Sequence, residues 1–223
     1  MSWQGLQLER GNIEMTPDDY LNQTEKAIRQ LFDSLRYYQG LLDRIEPQVF
    51  VTETEATVEE IRQWEEENRE AMDRCRNAER DYFGQVFSNQ TICGSILQIA
   101  ARGISIYSNH TTIPTSCSSF ITPSHGKVIP FCVGREVRSL PIGLIIYAGR
   151  NQYAHWDDQS LSSTNTKIFD IMSREHGYGS HLIDPSFDLT NQQLKIYSHN
   201  ILAILGWRMY EDYISDMKDM ICP

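Results

Sequence analysis

Between Gly149 and Trp156 the chain reads Gly-Arg-Asn-Gln-Tyr-Ala-His-Trp, which sets a guanidinium, an amide and an imidazole within about two helical turns. A fixed cation beside a group that ordinarily titrates near neutrality suits phosphate chemistry: the cation offsets phosphate charge and the imidazole moves a proton. Geometry constrains the pairing. In a regular helix Asn151 and His155 are four apart and share a face. Arg150 and His155 are five apart and stand roughly 140° from each other. They meet within one chain only where the helix ends, bends or takes a π-turn, and Gly149 allows such a departure. Otherwise each works against a second chain across a symmetric interface. The plainer reading also stands: Arg and His close a solvated helix end and complement its dipole.

The elements that must position these residues are helical. The apolar run from Ile142 to Ala148, with Pro141 at its first turn, predicts a buried motif helix over 141–155. Ile92, Ile96, Leu97, Ile99, Ala100 and Ile104 predict a core helix over 89–106, where Gly94 and Gly103 mark a bend or close helix contact. Short and long helices follow over 163–174 and 190–220, the latter opened by the capping box Thr190-Asn-Gln-Gln193. Upstream, Thr16-Pro17-Asp18-Asp19 starts a helix over 17–45 that carries Leu21, Ile28, Leu31 and Leu35 at helical spacing. A second long helix starts near Thr54 or at the capping box Thr57–Glu60. Its seam of Ile61, Trp64, Asn68, Ala71, Cys75, Ala78 and Tyr82 is too poor in Leu and Ile to hold an isolated coiled coil. It therefore predicts an antiparallel hairpin with the first helix, the alternative being an arm for a protein partner. The expected fold class is all-α: an N-terminal helical hairpin, residues 1–85, packed on a helical bundle, residues 86–223.

Two stretches lack helical pattern. Residues 1 to about 15 read as a loose or docking tail. Residues 108–131, dominated by Ser, Thr and Pro, read as a mobile surface loop that offers His125 and Lys127 to a phosphate. Arg135 and Arg138 read first as ion-paired surface residues, then as phosphate contacts. Trp156 suits a core or interface aromatic, or a stacking surface for a base. Asp157 or Asp158 is placed to hold the His155 tautomer.

The segment Arg150-Asn151-Gln152-Tyr153-Ala154-His155 resembles the R-polar-x(3–5)-H signature of HEPN-domain proteins, with Asn151 at the polar position. The motif covers these residues alone; the helical context extends the likeness over roughly the C-terminal two-thirds of the chain. The resemblance implies a HEPN-like bundle, homodimeric through its motif helices. It also implies a metal-independent RNA endonuclease of toxin, abortive-infection or CRISPR-effector type. On that implication His155 is the general acid or base, Arg150 holds the scissile phosphate and Asn151 orients one of them. Trp156, Lys127 and Arg138 are the candidate RNA contacts. No cofactor or metal is implied.

Composition narrows the partners. With 20 basic and 30 acidic residues the formal net charge is -10, which opposes broad electrostatic affinity for nucleic acid. RNA must then be captured locally, or a partner must supply basic surface; the acidity also suits a basic protein partner. No apolar run is long enough to cross a bilayer, and the opening residues lack a secretory core, so a cytoplasmic protein is expected. The five cysteines are scattered without zinc spacing and are expected as reduced thiols, leaving the sequons at Asn22, Asn89 and Asn109 unused. His176 and His181 lack neighbouring ligands and make a poor metal site. There is no Gly-rich phosphate loop, GxSxG, HExxH or internal repeat. Two further readings stay open: a catalytically idle scaffold of a defence complex, and a nucleotide-sensing regulator.

Overall fold

The computed structural model describes residues 15–42, 45–52, 55–158, 161–179 and 181–222. The N-terminal tail and Thr54 lie outside them. Among the described residues the fold is all-α, with one short antiparallel strand pair. Its helices are α1 (Pro17–Leu42), α2 (Val58–Glu67), α3 (Arg69–Gly84), α4 (Val86–Tyr107), α5 (Ile142–Ala154), α6 (Ser163–Arg174), α7 (Ser198–Leu205) and α8 (Tyr210–Ile221).

Local capping residues set the starts of α1, α2 and α6. Thr16 and Asp19 cap α1 reciprocally: the Asp19 N–H donates to Thr16 Oγ1 at 3.2 Å, and the Thr16 N–H donates to Asp19 Oδ2 at 3.1 Å. Thr57 and Glu60 form a full capping box on α2. Ser162 accepts from the Asn165 N–H at the start of α6.

One hydrophobic core runs through the molecule, with α4 and α5 at its centre. Leu21, Ile28 and Phe32 of α1 lie in this core beside α4 and α8. The second long helix is two helices. At Asn68 (φ -103°, ψ 4°) the side-chain amide donates to the Trp64 carbonyl at 2.9 Å, competing with the helical ladder. Beyond that break α3 lies against α1, whereas α2 buries no residue.

Residues 108–131 are anchored rather than loose. Cys117, Ile121, Val128 and Phe131 are buried, and the Ser108 hydroxyl donates to the Pro130 carbonyl at 2.8 Å. The strands Glu136–Val137 and Leu140–Pro141 then turn through Arg138 (φ 48°) and Ser139 (φ 61°) and deliver the chain to α5.

The expected C-terminal helix is also two. Residues 190–197 form turns in which Asp188 and Asn191 side chains accept from nearby backbone N–H groups, so the capping box at Thr190 starts no helix. Helix α7 starts at Ser198, with the Gln90 side chain accepting from the Ser198 hydroxyl and the His199 N–H. It ends at Gly206 in the left-handed conformation (φ 72°). Trp207, buried after this turn, donates its indole N–H to Asp216 Oδ2 at 2.7 Å. Arg135 reaches the same carboxylate through Nε and Nη2, each at 2.9 Å, and also donates to the Leu205 carbonyl.

Candidate functional site

Helix α5 is α-helical throughout, and His155 is its C-cap. Gly149 produces no bend; its missing side chain lets α4 and α7 approach, since a Cβ there would meet Ile201 at 2.9 Å and Leu97 at 3.2 Å. The motif therefore keeps helical spacing up to its last residue, and Arg150 and His155 line different clefts.

Arg150 faces a cleft of about 510 Å³ between α4, α5 and the 126–131 segment. Its Nε donates to Gln98 Oε1 at 2.9 Å and its Nη1 to Asn151 Oδ1 at 2.8 Å, which fixes the guanidinium plane and leaves Nη2 without a partner among the described residues. Asn151 is itself buried and donates to Asn165 Oδ1 at 3.4 Å, so α6 steadies the pair. Arg102 of α4 and Lys127 line the same cleft, and no carboxylate does. Among the described residues, neither these two cations nor Arg150 has an acidic group within 4.0 Å. Most other arginines do, among them Arg29, Arg36, Arg135 and Arg138. Three cations without counter-charges, in a protein of net charge -10, make a local anion trap.

His155 lies on a broad, open cleft of about 800 Å³ with Trp156, Asp157 and Asp158. Its Nδ1 is 2.8 Å from Asp158 Oδ2. The carboxylate can only accept, so Nδ1 carries the proton and Nε2 is left as the exposed base. Of the two candidate aspartates, Asp158 therefore holds the tautomer. Trp156 is 45% exposed, a free face rather than a core residue.

The other sequence-derived candidates separate. Lys127 joins Arg150. Arg138 lies outside both clefts: it pairs with Asp184 at 2.8 Å, donates to the Met172 carbonyl and stacks over Phe187 at 4.9 Å. That network braces the strand turn; burial pushes the Asp184 carboxyl up, but the Ser186 N–H and then Arg138 outweigh it and hold it below the usual range. His125 spends Nδ1 accepting the Thr122 N–H at 3.0 Å within its own turn. Arg102 and Gln98 were not singled out from the sequence, although a signal existed. Gln98, Arg102 and Ser105 follow at i, i+4 and i+7, a polar stripe on an otherwise apolar helix.

Among the described residues no cluster of three or more His, Cys, Asp or Glu is placed to hold a metal ion, and no helix is long and apolar enough to cross a membrane. Comparison with protein-family models, curated proteins and solved structures returns no match for the chain.

Proposed function

We propose that this protein is a metal-independent RNA endonuclease whose active site forms between the motif helices of two copies, on a HEPN-like bundle. The observation that carries the reading is the unpaired cationic cleft around Arg150, on an otherwise acidic protein, five residues before a histidine whose tautomer Asp158 sets. Arg150 and His155 line separate clefts, so each site draws the cation from one copy and the imidazole from the other.

In that site the ribose 2′-oxygen attacks the adjacent phosphorus as the bond to the 5′-oxygen breaks, leaving a cyclic phosphate and a 5′-hydroxyl. His155 Nε2 takes the 2′-hydroxyl proton, Asp158 stabilises the imidazolium that results, and the departing 5′-oxygen takes its proton from water. Arg150, held flat by Gln98 and Asn151, offsets charge on the pentacoordinate phosphate, and Lys127 and Arg102 hold flanking phosphates. Trp156 stacks on a base beside the cut. Local capture of this kind answers the objection from net charge, and it suits a cytoplasmic enzyme. The test is purified protein incubated with total RNA in chelator. Cleavage by wild type and its loss in Arg150→Ala and His155→Ala are expected; retained cleavage in either folded variant removes that residue's role.

A second reading is favoured by one observation: the Arg150 cleft is complete without His155. On it the protein senses a phosphate-bearing ligand such as a nucleotide. A folded protein that retains nucleotide through purification, yet leaves RNA intact, decides for it.

A further inference from the structure

A second cavity, on the other side of α4 from the motif, has the character of a small-molecule site. It encloses about 610 Å³ between α1, α4, α7 and the link into α8, within the range that holds drug-sized ligands. Its walls are mainly apolar, formed by Leu35, Leu202, Ala203, Trp207 and Met209.

Four polar side chains line it. Asn89 is only 6% exposed; its Oδ1 accepts from the Cys93 thiol at 3.5 Å, while its Nδ2 has no acceptor among the described residues and keeps access to the cavity. Open to the cavity, that amide N–H is available to an acceptor on a ligand. The half-buried His199 ring lines the same space. The Arg208 guanidinium stands on its wall without a carboxylate within 4.0 Å among the described residues, Asp212 being turned to the backbone N–H groups of Arg208 and Met209, and beside it lies Arg36, which Asp33 partly neutralises. No acidic side chain lines the cavity.

We propose that this cavity binds a small organic acid with an apolar body, its acid group held by Arg208 and the Asn89 amide and its body packed between Leu202, Trp207 and Met209. Apolar walls alone would take any hydrophobic solute. The free guanidinium and the open amide donor add a preference for an anionic acceptor. The site shares no residue with the Arg150 cleft, so it stands or falls independently of RNA cleavage.

The test uses anilinonaphthalene sulfonate as an anionic aromatic probe and N-phenylnaphthylamine as its uncharged counterpart, titrated by fluorescence into the full chain. Saturable binding of one sulfonate per chain is expected, at least about tenfold tighter than the neutral compound. Arg208→Glu should weaken the sulfonate by about tenfold or more and leave the neutral probe nearly unchanged. Ala203 is exposed at the wall, so Ala203→Trp fills the space without disturbing the core and should abolish binding of both. Circular dichroism checks that each variant is folded. Equal affinity for the two probes overturns the preference for an acid. Sulfonate binding that both folded variants retain overturns the site.

Discussion

Asp216 makes the sharpest stability test. Its carboxylate, 12% exposed, accepts the Trp207 indole N–H and two Arg135 N–H groups, and so fastens the link between α7 and α8 to the segment before the strand pair. Asp216→Ala leaves the buried indole N–H unsatisfied, a loss of roughly 1–3 kcal/mol. The Arg135 side chain is 47% exposed and regains water, so its share is discounted to at most about 1 kcal/mol. The expected total is about 1–4 kcal/mol, a fall in Tm of roughly 2–16 °C for a chain of this size. Asp216→Asn keeps an oxygen for the indole and loses only the charge toward Arg135, so about 1 kcal/mol is expected. Thermal and urea unfolding followed by far-ultraviolet circular dichroism reads both variants. An alanine variant as stable as wild type, or an asparagine variant as damaged as the alanine, refutes this account of the link.

Three further perturbations follow from the packing. Tyr213 is 1% exposed and its hydroxyl is buried without a partner, so Tyr213→Phe should leave stability unchanged or raise it by up to about 1 kcal/mol in urea unfolding; a clear loss would mean that the hydroxyl has a partner. Gly149→Ala places a methyl against Ile201 and Leu97 and should destabilise by roughly 1–3 kcal/mol, whereas a neutral result would show that α7 can shift. Burial lowers the His199 pKa below its ordinary value. The folded state then resists a proton that the unfolded chain accepts, so stability falls as pH drops below about 6.5. His199→Gln should flatten Tm between about pH 7.5 and 5.5. Asp19, Glu60, Asp170 and Glu211, held low by their partners, lose stability only at lower pH, through the ordinary carboxylate range.

What was legible in the sequence was local. Thr16–Asp19 and Thr57–Glu60 announce helix starts through contacts within a few residues, Pro141 announces one through its fixed backbone, and the apolar periods of α1, α4 and α5 announce buried faces. The break at Gly206 was not legible. Thr190 to Met220 carries a continuous helical period, and the break is fastened by Arg135, 81 residues before Asp216. The packing of residues 108–131 was hidden for a similar reason: Cys117, Ile121, Val128 and Phe131 bury themselves without a repeating period. At the candidate site the five-residue step from Arg150 to His155 already implied separate faces. The grouping of Lys127 with Arg150 and Arg102 depends on how the 126–131 segment folds back, which no spacing reveals.

The most direct measurement of the central claim mixes two defective variants. Arg150→Ala and His155→Ala, each inactive alone, are unfolded together, refolded at equal concentration and assayed for RNA cleavage in chelator. Half of the dimers then pair the two variants, and each such dimer holds one site with both groups intact, so activity should return to about one quarter of wild type. A refolded, dimeric mixture that stays as inactive as its parents contradicts a site shared between two copies.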